Sequence, residues 1–349
     1  MKNINPLGLF DDHFLLEKLT KLGDPLQKLN DYINWNIFQL PLDAAFRDAS
    51  KDLSKGGRPP FNKLLMFKAL VIQSLYNLSD DQLEYQITDR SSFKRFLGLK
   101  KSDKVPDSKT FWIFREQLIE KDVIMVLFKT FNELLDLAGV FANEGKMVDA
   151  SFVEAPRQRN TREENAHIKQ TGTVPEQWKE TPHKLCQKDV DARWTKKNNV
   201  TFFGYKNHIK ADTKTKLIEE FTVTDASVHD SQAIEGLLTE KDKGQPLYAD
   251  SAYTGEEQEK IYKNKEVINQ VHQKGYRNKP LTEQQKADNK EKSKVRVRVE
   301  HVFGFVENSM NGSIVRTIGI ARAKAKIGMM NFTYNISRCV QLKINVSMG

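Results

Sequence analysis

The spacing of the hydrophobic residues changes near Lys146, and that change limits the fold more than any other feature of the chain. Upstream, apolar residues recur at helical spacing; downstream, short β-branched and aromatic stretches bounded by turn residues alternate with helical ones. The expectation is a helical region over residues 1–145, then an α/β region over residues 146–349. A chain of 349 residues suffices for two ordinary domains, each with its own core.

In the first region, "FNKLLMFKALVIQSLY" (61–76) is apolar nearly all round, as a helix buried on several sides is, and the breaker cluster "GGRPP" precedes it. Ser79 and Gln82 have capping-box spacing and start a short helix through Ile87. Asp107 and Ser108 stand before "KTFWIFREQLI" as another helix start, and "DVIMVLFKTFNELLDLAG" (122–139) has Gly139 placed to end it.

In the second region, "KMVDASFV", "FFGYKNHIKAD", "LIEEFTVTD", "PLYAD" and "VINQVH" (267–272) read as strands. "HDSQAIEGLL" and "TGEEQEKIY" read as helices, the latter with Thr254 and Glu257 in capping-box spacing. "KVRVRVEHVFGFVE" puts Val295, Val299, Val302, Phe303 and Val306 on one stripe, so it reads as a single helix, and Arg322 to Leu342 reads as another. Residues 154–200, polar and containing Pro156, Pro175 and Pro182, lack periodicity and read as a long loop or partly disordered insertion; residues 274–293 are similar. There is no internal repeat.

Lys and Arg number 55 against 46 Asp and Glu, a net charge of +9 that favours an anionic partner, nucleic acid ahead of a membrane surface. The two cysteines, Cys186 and Cys339, form no CxxC, which suits a reducing cytosol. No signal-peptide pattern opens the chain, and the longest apolar run, Leu64 to Leu75, carries Lys68 and is far below about 18 residues. A soluble cytoplasmic protein is expected.

Asp149 is a single acid among strand-forming apolar residues, and Asp250 closes "QPLYAD" in the same way. A charge inside a strand is costly to bury unless it is paired or binds metal. If the two strands are neighbours, their backbones lie about 4.8 Å apart and the carboxylates can hold divalent cations between them. Glu300, at the end of the basic stretch "RVRVE", offers a third acid from a packed helix. Phosphoryl transfer with two metal ions uses such a set, and hard oxygen ligands suit Mg²⁺. Each acid read singly is an ordinary strand-end cap or surface charge.

These motifs carry a resemblance. "MVDAS", "FFGYKNHIKAD", "TVTDASVHDS", "LYADSAY" and "RVRVEHVFG" occur in the order found in DDE transposases of bacterial insertion sequences, and the chain is similar to the insertion-sequence-five family in particular. The stretch from "GRPPF" through "VPDSKTFWIFREQL" resembles that family's N-terminal domain. Arg296 has the family's spacing to Glu300; in the wider signature, Ser293 stands where a Tyr is found and Glu307 where a Lys is found.

The resemblance implies a ribonuclease H-like catalytic domain, a mixed sheet with helices on both faces, preceded by a helical DNA-binding domain. It implies Asp149, Asp250 and Glu300 as catalytic metal ligands for two Mg²⁺ ions, with Mn²⁺ able to substitute. It further implies cleavage at the element's inverted-repeat ends and transfer of the 3′-hydroxyl to target double-stranded DNA. The protein would act in the cytoplasm, nucleoid-associated when bound to DNA. Lys294, Arg296 and Arg298 are expected at DNA phosphates, and Arg296 also at Glu300, one turn away. Lys206, His208 and His229 are expected near the active site, although Asp230 or Ser231 serves equally as a helix cap.

Residues 90–109 carry a local excess of five positive charges, including Lys94 and Arg95, between short helices, a layout consistent with a helix-turn-helix-like module. Trp112, Trp178, Trp194 and Phe203 are candidates for base stacking or for core. Two ends joined to one target require a homodimer or larger assembly, with the 154–200 insertion and the C-terminal helix as the expected contributors. A transposase-derived DNA-binding protein and a host nuclease of the same fold are the alternatives.

Overall fold

The computed structural model describes residues 11–47, 59–155, 158–197 and 199–346. They fall into two units, one reaching Leu134 and taking in the chain again from Ile336, the other Leu135–Asn335. The first holds α1 (Asp11–Lys21), α2 (Pro25–Tyr32), α3 (Gln39–Ala45), α4 (Lys63–Leu75), α5 (Asp80–Asp89), α6 (Ser91–Leu97), α7 (Ser108–Glu120) and most of α8 (Val123–Leu137). Side-chain caps start α4, α5 and α7: Asn62 accepts from Leu64 and Leu65, Ser79 and Gln82 complete their capping box, and Asp107 accepts from Thr110. Gly139 follows α8 with φ of 66°, a conformation that favours glycine. Gly56, Gly57 and Arg58 of the breaker cluster lie outside the described residues.

The lysine inside the apolar run has a local explanation. Lys68 turns its ammonium over the rings of Trp35 and Phe96, at 5.2 and 4.5 Å, and donates to Asn30 Oδ1 at 3.0 Å. Burial there lowers its pKa to about 8. Phe67 packs edge-on against Phe38, and Phe38 meets Phe131, so α4 is the helix around which this core forms. The chain end belongs here too: Val346 N donates to Tyr32 O and Asn34 N to Val346 O. Residues from Ile336 onward therefore group with the helical unit rather than with the α/β region where the sequence analysis put them.

The second unit holds β1 (Lys146–Glu154), α9 (Arg162–Thr171), α10 (Glu176–Lys179), α11 (Pro182–Leu185), β2 (Arg193–Lys197), β3 (Val200–Asp212) and β4 (Ile218–Asp225). It continues through α12 (Ile234–Leu237), β5 (Pro246–Tyr248), α13 (Glu256–Asn264), β6 (Ile268–Asn269), α14 (Glu283–Arg296), α15 (Glu300–Met310) and α16 (Ile320–Gln341). The sheet runs β2-β3-β1-β5-β6, with β4 also on β3; β2, β1 and β4 are antiparallel to β3, whereas β5 and β6 run parallel to β1. This mixed sheet with flanking helices is the ribonuclease H-like α/β fold. Gly204 permits the close approach of β1 and β3, since a Cβ there would run into the carbonyl oxygen of Val153.

One sheet face, through Val148, Leu247 and Ala249, joins Ile234, Leu237, Tyr253, Tyr262 and Val271 in a single apolar cluster. On α16, Asn331 exchanges two amide hydrogen bonds with Asn207 of β3, at 2.9 and 3.0 Å. Asn335 bonds both backbone groups of Ile218 at the start of β4.

Four expectations need correction. Residues 154–200 are not a structureless insertion: a capping box between Thr161 and Glu164 starts α9, and Trp178 is buried with its Nε1 on Glu164 at 2.7 Å. Pro156, part of that expectation, lies outside the described residues. Within 274–293, a capping box between Thr282 and Gln285 starts α14. The basic stretch is two helices rather than one, with a 3₁₀ turn at Val297–Val299 between α14 and α15. Thr254 caps nothing, because α13 begins at Glu256 behind Gly255 and the Thr254 hydroxyl donates back to Ser251 O.

Candidate active site

Strand register brings the two aspartates together. On β1 and β5, Lys146 pairs with Leu247 and Met147 with Tyr248; continuing that register two residues sets Asp149 level with Asp250. The ladder stops at Tyr248 because Asp250 turns the chain, its Oδ1 accepting from Ala252 N at 2.8 Å to cap the 3₁₀ turn Ser251–Tyr253.

Asp149 Oδ1 accepts from Ala150 N at 2.8 Å, and its Oδ2 accepts from Arg296 Nη1 at 2.9 Å. Burial, opposed by that backbone bond and reinforced by the Asp250 charge, pushes the Asp149 carboxyl up to about 6; Arg296 and Lys197 pull the other way. A carboxylate so placed calls for a positive partner, and Arg296 is that partner here.

Arg296 also faces Glu300, Nη2 to Oε1 at 4.0 Å, so the one-turn relation expected from spacing is met. Glu300 is the first residue of α15 and its side chain is 64% exposed, with the guanidinium between it and Asp149. Among the described residues no three His, Cys, Asp or Glu side chains are gathered as a metal cage. The expected triad therefore stands as a level aspartate pair with Glu300 held off by Arg296. The donor set still fits a divalent cation: two carboxylates set level, one of them raised in pKa by burial and by the charge of the other. Glu307, in the signature's Lys position, is raised by burial and by the Glu300 charge.

The other expected residues divide. Arg296 is turned onto Asp149 rather than outward. Arg298 is exposed and donates to Thr213 O at 3.2 Å; Lys294 is exposed and paired with Glu291. Lys206 and His208 do not share the face of Asp149. Their register partners on β1 are Phe152 and Ala150, which alternate with Asp149, so both point to the opposite side of the sheet. There Lys206 is buried against Asp230 Oδ1 and Val228 O, each at 2.7 Å. His208 is fully buried on Thr224, and burial lowers its pKa to about 4, so it is neutral and out of reach of DNA. His229 is itself the cap of the 3₁₀ turn Asp230–Ala233, its Nδ1 accepting from Ser231 N, while Asp230 serves Lys206.

In the helical unit, Arg95 is an internal clamp rather than a free basic group, bonded to Asp24 at 2.5 Å, to Leu16 O at 3.0 Å and to Thr20 Oγ1 at 2.8 Å. Lys94 donates to Lys101 O. Arg90, Lys100, Lys101, Lys104 and Lys109 are exposed. Of the aromatic candidates, Trp178 and Phe203 are core, Trp194 is tied to Asn160 O, and Trp112 is exposed.

Two residues near the aspartates were not foreseen. Tyr253 of "LYADSAY" is buried with no partner for its hydroxyl among the described residues, and burial together with Asp149, Asp230 and Asp250 keeps it protonated. His272 ends the "VINQVH" strand; burial and the Arg296 charge lower its pKa, against the pull of Asp250. The signal for His272 was its place at a strand end beside another strand-end acid, and strand order is needed to see that.

No described helix is long and apolar enough to cross a membrane. The chain resembles, over 98% of its length and 78% of the other's, a piggyBac transposase synaptic complex with hairpin DNA solved by cryo-electron microscopy, with a TM-score of 0.42 and 10% sequence identity. That likeness is too distant to assign any residue a role. A family model described as "Transposase domain (DUF772)" matches residues 14–117. The model described as "Transposase DDE domain" matches residues 144–336, more than half of the chain and the whole of the sheet with its acids; the chain belongs to the DDE transposase family, enzymes that cut and join DNA.

Proposed function

We propose that this chain is the transposase of a bacterial insertion sequence of the insertion-sequence-five type. It cleaves the terminal inverted repeats in a divalent-metal-dependent reaction and transfers the 3′-hydroxyl ends to target double-stranded DNA. The observation that carries this reading is the level placement of Asp149, within β1, and Asp250, just past the end of the parallel neighbour β5, beside the helix junction bearing Arg296 and Glu300.

Carboxylate oxygens in that arrangement suit Mg²⁺, with Mn²⁺ able to substitute. When bound, two such ions neutralise charge at the phosphoryl group and lower the pKa of the attacking water or hydroxyl. Asp149, Asp250 and Glu300 are the residues to hold them. Asp149 needs positive charge nearby in any state, and Arg296 meets that need in the described conformation. Once the charge on Asp149 is met otherwise, Arg296 is released to a DNA phosphate and Glu300 is free to close on the aspartates. No side chain acts as nucleophile, so no covalent protein–DNA intermediate forms. Catalysis takes place in the cytoplasm, on the nucleoid.

The test is incubation of purified protein with Mg²⁺ and labelled end DNA, with every nick mapped. Nicks at the element ends that leave 3′-hydroxyls, join to target and vanish with chelator are expected. Cleavage without end preference, as by a general nuclease, overturns the reading.

A further inference from the structure

Past β6 the backbone stays beside β5: Gln270 N donates to Leu247 O at 2.9 Å and His272 N to Ala249 O at 3.1 Å. His272 is thereby set next to the residue that precedes Asp250, at the same end of the sheet as both aspartates. The helix that covers this end, α14, presents Ser293 and Arg296 one turn apart. Arg296 reaches Asp149, and Ser293 Oγ lies 3.2 Å from His272 Nε2.

The hydrogen bonds fix which ring nitrogen carries the proton. A serine hydroxyl has one proton, and Ser293 gives it to Asn289 O at 2.8 Å. Toward His272 it can only accept, so Nε2 is the protonated nitrogen and Nδ1 carries the lone pair. The side chain of Asn289 bonds both backbone groups of Gln273, at 2.9 Å each, which holds the strand end and the helix together around the ring. The ring's one hydrogen bond among the described residues is at Nε2, which leaves Nδ1 without a partner there. A lone pair cannot contact a phosphate oxygen, which is itself an acceptor. It takes a hydrogen-bond donor or a metal ion; hard Mg²⁺ favours the carboxylate oxygens, and the donors this chemistry brings to the aspartates are water and the DNA 3′-hydroxyl.

We infer that His272 is a positioning residue for the nucleophile: Nδ1 accepts a hydrogen bond from the attacking water, and in the joining step from the 3′-hydroxyl, aligning that oxygen beside Asp250. Ser293, in the place of the signature's Tyr, acts through His272 by fixing its tautomer. The inference rests on the proposed transposase reaction.

Two near-isosteric substitutions separate positioning from a structural role. His272→Gln keeps a donor at the ε position for Ser293 and loses the δ acceptor. His272→Asn keeps an acceptor at the δ position and loses the Ser293 bond. With folding checked by thermal melting, single-turnover nicking of labelled end DNA by His272→Gln should slow roughly 10- to 100-fold at unchanged Kd for the DNA. His272→Asn should recover most of the rate. Wild-type nicking by His272→Gln, or the reverse order of the two variants, overturns the role of His272 while leaving the transposase reading intact. A wild-type protein that nicks nothing overturns both.

Discussion

Asp149, the proposed metal ligand on β1, costs the fold stability at neutral pH. Its carboxyl stands at about 6 against an ordinary 3.8, so between those values the folded chain binds a proton that the unfolded chain releases. The stability this contributes is fully present below about pH 4 and is lost as pH rises through 6. Asp149→Asn cannot ionise and keeps an acceptor for Arg296. In metal-free buffer at pH 7.5 it should melt above the wild type, by about 1–3 kcal/mol of stability, and the gap should close toward pH 4. A lower melting temperature at pH 7.5 contradicts the assignment. The same variant, like Asp250→Asn and Glu300→Gln, should lose strand cleavage while retaining end binding, because each removes a proposed metal ligand and leaves every basic side chain in place for phosphate. Cleavage at the normal rate by any one of them removes that residue from the catalytic set. Mg²⁺ should raise the melting temperature of the wild type and not that of Asp149→Asn, and chelator should reverse the effect.

At the scale of elements, legibility followed the strength of the local signal. α4, α5, α7, α8 and α16 lie where periodicity and caps put them, and the strand carrying Asp149 and the short one leading to Asp250 were readable from composition. The segments read as loops failed for one shared reason. α9 and α14 are polar helices that bury few residues, so hydrophobic period could not show them, whereas Thr161–Glu164 and Thr282–Gln285 announced both starts. Which side of the sheet Lys206 and His208 face was not readable, because alternation gives two faces and only the partner strands say which one holds the acids. Arg95 shows the same limit: charge alone could not distinguish a buried clamp from a DNA contact. Arg95→Ala should cost about 2–4 kcal/mol in a urea melt, since it strands the buried Asp24. By contrast, Lys104→Ala with Lys109→Ala, both exposed, should leave stability alone and flatten the log–log salt dependence of DNA binding by roughly one to two units. An unchanged slope would mean that the basic face of the helical unit is merely solvated. On α16, a double-mutant cycle of Asn207→Ala and Asn331→Ala should give a coupling of about 1–2 kcal/mol, because each substitution alone leaves a buried amide unpaired.

For the whole molecule the question is how one chain serves two DNA ends. The described residues contain one level aspartate pair, and the sequence has no repeat to supply another, whereas joining both ends of an element to one target takes two active sites held together. The active species is therefore expected to be at least a dimer on two ends. The structure narrows where the chains can meet. α16 was an expected contributor, but Ala323, Ile327, Met330, Phe332, Ile336 and Cys339 along it are all buried within the chain, leaving little of the helix for a partner. The insertion keeps an exposed face on α9, at Arg162, His167, Lys169 and Gln170, while its later part is tied to the rest of the unit through Asp189 with Tyr205 and Asp191 with Ile320 N. Placing acidic charge on this face with His167→Glu and Lys169→Glu should leave binding of a single end intact and weaken pairing of two ends by about tenfold or more, read as the loss of the two-chain, two-end mass in Ca²⁺. Retention of that mass moves the contact off α9. A complex of one chain with one end that joins target at full rate defeats the dimer itself.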